Sequence, residues 1–177
     1  MMLSALNHDI LFSLHVLATS STLTAGVVIF FAEWFPLLVL ISIVVYEFLA
    51  VEKEEEVFRV LVRTALPSFI VWIVVMSVKL LFPSPRPFVE MEITPLISVA
   101  DPFGSFPSAH AAVFGALAGT IFVNHFHVWK WYLISAILIS LARVAAGVHW
   151  PADVASGILF GLLFGFIIAK LLSRKKK

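Results

Sequence analysis

ARVAAGVHWPAD, residues 142–153, lies between two long apolar runs and carries Arg143, His149 and Asp153. The flanking runs read as two membrane-crossing helices, the first ending near Gly147 and the second opening at Pro151. A charged side chain at membrane depth costs roughly 2.5–3.5 kcal/mol or more, so it is kept for a function or a partner. A cation, an imidazole and a carboxylate share this one turn, and the fold must explain why.

The rest of the chain supports a membrane setting. Its 177 residues are 61% hydrophobic and 13% charged, against the roughly 25% charged residues of a soluble domain. This composition predicts an all-α integral membrane protein forming one membrane-embedded domain, residues 1–177, with no polar stretch long enough for a soluble domain. The net charge of +1 gives no reason to expect a nucleic-acid partner. With no cysteine, a disulfide, a thiolate nucleophile and a Cys-ligated metal are excluded, and redox chemistry does not report the compartment.

The N-terminus lacks the basic flank of a signal peptide. Leu3, Leu6, Ile10, Leu14 and Leu17 recur at helical spacing, predicting a short amphipathic helix, interfacial or partly buried, with His8 and His15 on its amphipathic surface. Five transmembrane helices follow, for a bundle of five to six. The first spans about 23–51, interrupted by Glu33 and Pro36 and so kinked or tilted. Glu33 reads equally as a kink feature or a substrate-path residue. The acidic cluster 52–56 opens a second helix, which PSPRP (83–87) stops. Residues 83–107 form the one sizeable loop. Further helices run from PSAH (107–110) to about Val123, from Trp129 to Gly147, and from Pro151 onward. Gly115 and Gly119, and Gly157, Gly161 and Gly165, repeat at four-residue spacing and predict close helix packing. A glycine stripe serves internal packing as readily as a dimer, so it leaves the oligomeric state open. His125 and His127, beside Trp129 and Trp131, read as an interfacial belt rather than a metal site.

On this topology Lys79, Arg86, Ser108, His110, Arg143, His149 and Asp153 fall at one membrane face. The other nine of the twelve Lys and Arg residues, including the SRKKK tail, fall at or near the opposite face. The positive-inside rule then puts the tail in the cytoplasm and the polar cluster outside, in a multi-pass protein of the cytoplasmic membrane.

Lys79, Arg86 and Arg143 around two histidines suit an anion with several oxygens, most naturally phosphate. Ser108 at a helix start adds free backbone N–H groups at the positive end of a dipole. Pro83, Pro85 and Pro87 hold Arg86 on a stiff extended segment. His149 is placed as nucleophile or base, Asp153 within reach of one imidazole nitrogen, and His110 to protonate a leaving oxygen. Taken singly, Lys79 would be a snorkelling lysine and Ser108 a helix cap. Glu90, Glu92 and Asp101 read as a solvated loop.

Lys79 with Arg86-Pro87, then PSAH, then Arg143 with His149 and Asp153 resembles the three-part signature of the type 2 phosphatidic acid phosphatase superfamily, over about residues 60–170. The resemblance implies that His149 attacks phosphorus and becomes a phosphohistidine, that Asp153 orients it, and that His110 protonates the leaving group. It further implies that Lys79, Arg86, Ser108 and Arg143 hold the phosphoryl oxygens, with no metal and no cofactor. Two positions depart from the pattern: Ala109 replaces the usual glycine and Ala142 the usual serine. Alanine at 109 is harmless in a helix and strained at positive φ.

The expected substrate is a lipid phosphate met at the membrane. PRPFV and SFPSAH look most like bacterial undecaprenyl pyrophosphate phosphatases of the bacitracin-resistance type, while relatives act on phosphatidylglycerol phosphate or the 1-phosphate of lipid A. A non-hydrolytic anion-binding or transport protein is the alternative of another class, and a soluble phosphate ester the alternative substrate.

Overall fold

The computed structural model describes residues 2–50 and 54–174. Glu52, Lys53 and the Lys175–Lys177 tail, used above for the acidic cluster and the orientation, lie outside the described residues. The chain is helical, with α1 over Met2–Thr19, α2 over Thr22–Ile29, and α3 over Phe35–Ala50. Then come α4 (Glu54–Leu81), a single turn α5 (Pro87–Glu90), α6 (Ala109–Asn124), α7 (Trp129–Ala145) and α8 (Pro151–Arg174).

Ser21 starts α2 with a capping box, its hydroxyl accepting from Thr24 N at 3.2 Å while Thr24 Oγ1 accepts from Ser21 N at 3.1 Å. Where a kink or tilt is expected between residues 23 and 51, the structure has a π-helical turn, Phe30–Trp34, that contains Glu33 and joins α2 to α3. A π turn inserts one residue into the helical ladder, which bends a helix without breaking it. In α4, Pro67 is accommodated inside the helix and fully buried.

Among the described residues, three stretches are long and apolar enough to cross a bilayer by length and composition: Thr22–Ala50, Glu56–Leu81 and Pro151–Ser173. Their outer faces expose Leu, Phe, Ile and Val, among them Leu23, Phe58, Leu80 and Leu159. So much exposed apolar surface fits a solvent of lipid tails, not water. Helix α6 is shorter and sits at the centre, packed on α8, α7 and α4, with Ala111, Ala112 and every residue from Phe114 to Ile121 buried. Alanine and glycine make that possible. A Cβ on Gly161 would lie 2.1 Å from the Ala112 carbonyl oxygen, and one on Gly119 2.4 Å from that of Leu162. The glycine stripe is therefore the α6–α8 seam inside one chain.

Helix α1 departs from expectation in one respect. His15 is buried, not on the amphipathic surface, and its Nδ1 donates to the Ala145 carbonyl at 2.9 Å, at the end of α7.

Candidate active site

Proline at 83 stops α4 after Leu81, and the chain folds back on itself. Ser84 N donates to Phe103 O at 2.6 Å, Ser105 N to Ser84 O at 3.1 Å and Arg86 N to Pro102 O at 3.0 Å. Arg86 is extended there, at φ −80° and ψ 159°, as the prolines around it demand. Its guanidinium is buried and held by three contacts: Nε donates to Asp101 O at 2.6 Å, and Nη1 to Val148 O at 2.8 Å and to His149 Nε2 at 3.1 Å. Asp101 thus does more than face solvent. Its side chain accepts from Phe103 N at 2.9 Å, and a Cβ on Gly104 would fall 2.0 Å from its Oδ2.

His149 sits between α7 and α8, in a turn that Gly147 enters at φ +78°, a conformation glycine adopts without steric cost. The imidazole is 2% exposed. Burial lowers its pKa to about 3, although its hydrogen bond to Asp153 works against that shift. The ring is therefore neutral at neutral pH. An arginine N–H can only donate, so Nε2 is the acceptor and the ring proton is on Nδ1, 3.4 Å from Asp153 Oδ2. That carboxylate oxygen also accepts from Ser105 Oγ at 2.6 Å and Trp150 N at 2.9 Å.

The remaining residues close in from three helices. Lys79, at the end of α4, donates to the carbonyls of Gly104 and Ser105. Arg143, in the last turn of α7, reaches Ala32 O in the π turn with Nη1 at 3.4 Å, while its buried Nε has no partner among the described residues. Ser108 caps α6. Its backbone N–H donates to Asp153 O at 3.1 Å, whereas its hydroxyl is 3.5 Å from Ala111 N, too long to hold it firmly. His110 is half-buried, within Coulombic range of Arg143, His149, Lys79 and Arg86. All seven residues singled out from sequence thus meet at one end of the bundle. A neutral imidazole and three cations, one carrying an unsatisfied buried N–H, have the chemistry to bind a multi-oxygen anion such as a phosphoryl group.

A superfamily model described as PAP2 matches residues 56–177. The chain belongs to the PAP2 superfamily. It is 35% identical over 111 residues to an undecaprenyl-diphosphatase of Sulfolobus acidocaldarius, covering 61% of this chain and 53% of that one. The match thus spans about half the length of that relative. Another similar chain is the bacitracin transport permease protein BcrC of Bacillus licheniformis, 28% identical over 170 residues, covering 95% and 81%. In three dimensions the chain is similar to the crystal structure of Aquifex aeolicus LpxE, with a TM-score of 0.69 and 25% identity over 94% of this chain and 93% of that one.

Both departures from the usual PAP2 pattern have a structural setting. Ala109 is the first residue of α6 and is not among the residues at positive φ, so the strain feared for it does not arise. Ala142 is buried with Ala32, Ile97, Ala146 and Val148, where a hydroxyl would need a partner.

Ser105, three residues before Ser108, falls outside the signature read from the sequence. Glu47, within the first apolar run, also went unmarked despite being a carboxylate at membrane depth. It is fully buried at the end of the bundle opposite His149. Its Oε1 accepts from Thr64 Oγ1 at 2.8 Å and lies 3.0 Å from His125 Nε2, while Tyr46 OH lies 3.0 Å from His127 Nε2. His125 and His127 are therefore parts of a helix-joining polar cluster, more than a belt.

Proposed function

We propose that the chain is a metal-independent phosphatase of lipid phosphates or pyrophosphates, acting through a phosphohistidine on His149 and preferring undecaprenyl pyrophosphate. The observation that carries this reading is the setting of His149, with Nδ1 3.4 Å from Asp153 Oδ2 and Nε2 3.1 Å from the donor Arg86 Nη1, which assigns the ring proton to Nδ1 and the lone pair to Nε2. When a phosphoryl group takes the Arg86 N–H donors, that lone pair is released toward phosphorus. Nε2 then forms the N–P bond as the P–O bond to the leaving group breaks, and His110, protonated in the substrate-bound state, gives its proton to the departing oxygen and becomes neutral. Asp153 steadies the imidazolium that results, and Lys79, Arg86, Ser108 and Arg143 take up the charge spread over the phosphoryl oxygens. Neutral His110 then takes a proton from water as the water oxygen bonds to phosphorus, and the N–P bond breaks, releasing phosphate and restoring neutral His149.

The diphosphate substrate is supported by the relative named as an undecaprenyl-diphosphatase. The cation count along the sequence supports a protein of the cytoplasmic membrane with its site outward and its C-terminus inward. Phosphate release by the detergent-purified protein in EDTA tests the reaction. Undecaprenyl pyrophosphate, phosphatidylglycerol phosphate, phosphatidate and lipid A would be compared, with His149→Ala as control. Turnover that His149→Ala retains would overturn the mechanism. No release from any lipid would favour an anion-binding protein.

A further inference from the structure

The PAP2 match begins at residue 56, so α1 is outside it, yet α1 touches the turn that holds His149 at three points. Asn7 Oδ1 accepts from Ala152 N at 3.0 Å. His8 lies against Trp150, ring centroids 4.7 Å apart. His15 Nδ1 donates to Ala145 O at 2.9 Å. Residues 7, 11 and 15 share one helix face, and between the two polar contacts the fully buried Leu11 packs with Val144, Trp150 and Val154.

The two polar contacts answer a general problem. The last four carbonyls of a helix and its first four N–H groups lack partners within that helix. Ala145 ends α7, two residues after Arg143, and Ala152 is the second residue of α8, one before Asp153. Helix α1 supplies the missing partner at both ends, bracketing the five-residue turn that carries His149. The turn lies directly under His15, since a Cβ on Gly147 would be 3.3 Å from its Cε1. Trp150 extends the brace, its Nε1 donating to Pro85 O at 3.2 Å, next to Arg86.

We propose that Asn7 and His15 are positioning residues for the reaction, with α1 serving as a clasp that sets the angle of the His149 imidazole to phosphorus. This rests on His149 being the nucleophile. Misplacing a reacting group by about 1 Å can cost roughly 100-fold in rate, so a loosened turn should be read in kcat.

The test uses the full-length protein in detergent with undecaprenyl pyrophosphate and phosphatidylglycerol phosphate. Asn7→Ala and His15→Ala should each lower kcat about tenfold or more with KM moved less than about twofold. Asn7→Asp keeps the acceptor and His15→Asn keeps a donor at the Nδ1 position, and both should restore most of the rate. Phe12→Ala, on the exposed side of α1, should leave it unchanged. Thermal melting of every variant separates placement from unfolding. Wild-type kcat in both alanine variants, or a loss that disappears per folded molecule, would overturn the clasp while leaving His149 untouched. Wild-type turnover by His149→Ala would instead remove the reading beneath it.

Discussion

Ser105 donates to Asp153 Oδ2 across 2.6 Å, the shortest of the three contacts this oxygen receives. The hydroxyl pins the carboxylate from the α6 side while Trp150 N holds it from its own turn, and the imidazole completes the set. A buried carboxylate held by three donors has little freedom to rotate away from Nδ1. Ser105→Ala should therefore lower kcat roughly tenfold, the equivalent of one hydrogen bond to a charged group, and Ser105→Thr should recover much of it. Steady-state kinetics in micelles would show this, and an alanine variant at wild-type rate would leave Ser105 a purely structural residue.

Arg86 is expected to tolerate no substitute. Its planar fork serves Asp101 O, Val148 O and His149 Nε2 together, and a lysine presents one point of charge instead. Arg86→Lys should reduce kcat/KM by about 100-fold or more, close to Arg86→Ala. A lysine variant within a few-fold of wild type would mean that charge alone is needed at this position.

Burial of neutral His149 also predicts a pH dependence of stability. The imidazole titrates near 6.5 when unfolded and at about 3 when folded. Between those values the unfolded chain binds a proton that the folded chain does not. The contribution to stability is thus fully present above about pH 6.5 and lost progressively as pH falls toward 3. Melting temperatures in detergent should decline from pH 7 to 4.5, and His149→Asn should flatten that decline. An unchanged slope in the variant would place the responsible group elsewhere.

Two glycines should respond in opposite directions. At Gly161 a methyl group meets the Ala112 backbone, which cannot swing aside as a side chain can. Gly161→Ala is expected to destabilise by about 1–3 kcal/mol. At Gly26 nothing lies within 4 Å of the added carbon, and Gly26→Ala in α2 should gain about 0.5–1 kcal/mol. Thermal unfolding of the pair is the check, and equal shifts would argue against the seam as described.

Most of the site could be read from the sequence because its side chains are of types that membranes exclude. Lys79, Arg86, Arg143, His149 and Asp153 stand out against Leu, Val and Phe, and proline marks the ends of their helices. Ser105, Asn7 and His15 were hidden for the converse reason. Small polar residues are common at membrane boundaries, and their value depends on which backbone groups the fold brings opposite them. No pattern along the chain announces that Asn7 will meet Ala152. Glu47 is different, since its charge alone was a sufficient signal. The π turn at Phe30–Trp34 was legible only as a kink, because Glu33 and Pro36 mark the place and not the geometry.

The α6–α8 seam also determines which parts of the molecule can move. Backbones in contact through glycine slide or tilt only by colliding, so the two helices behave as a single girder. Ser108 and His110 are fixed to one rail of that girder and Asp153 to the other, with His149 just before it. Any motion that opens the site would therefore come from outside the girder, from α1–α3, from α4 or from the 83–107 loop, while the frame around His149 stays still.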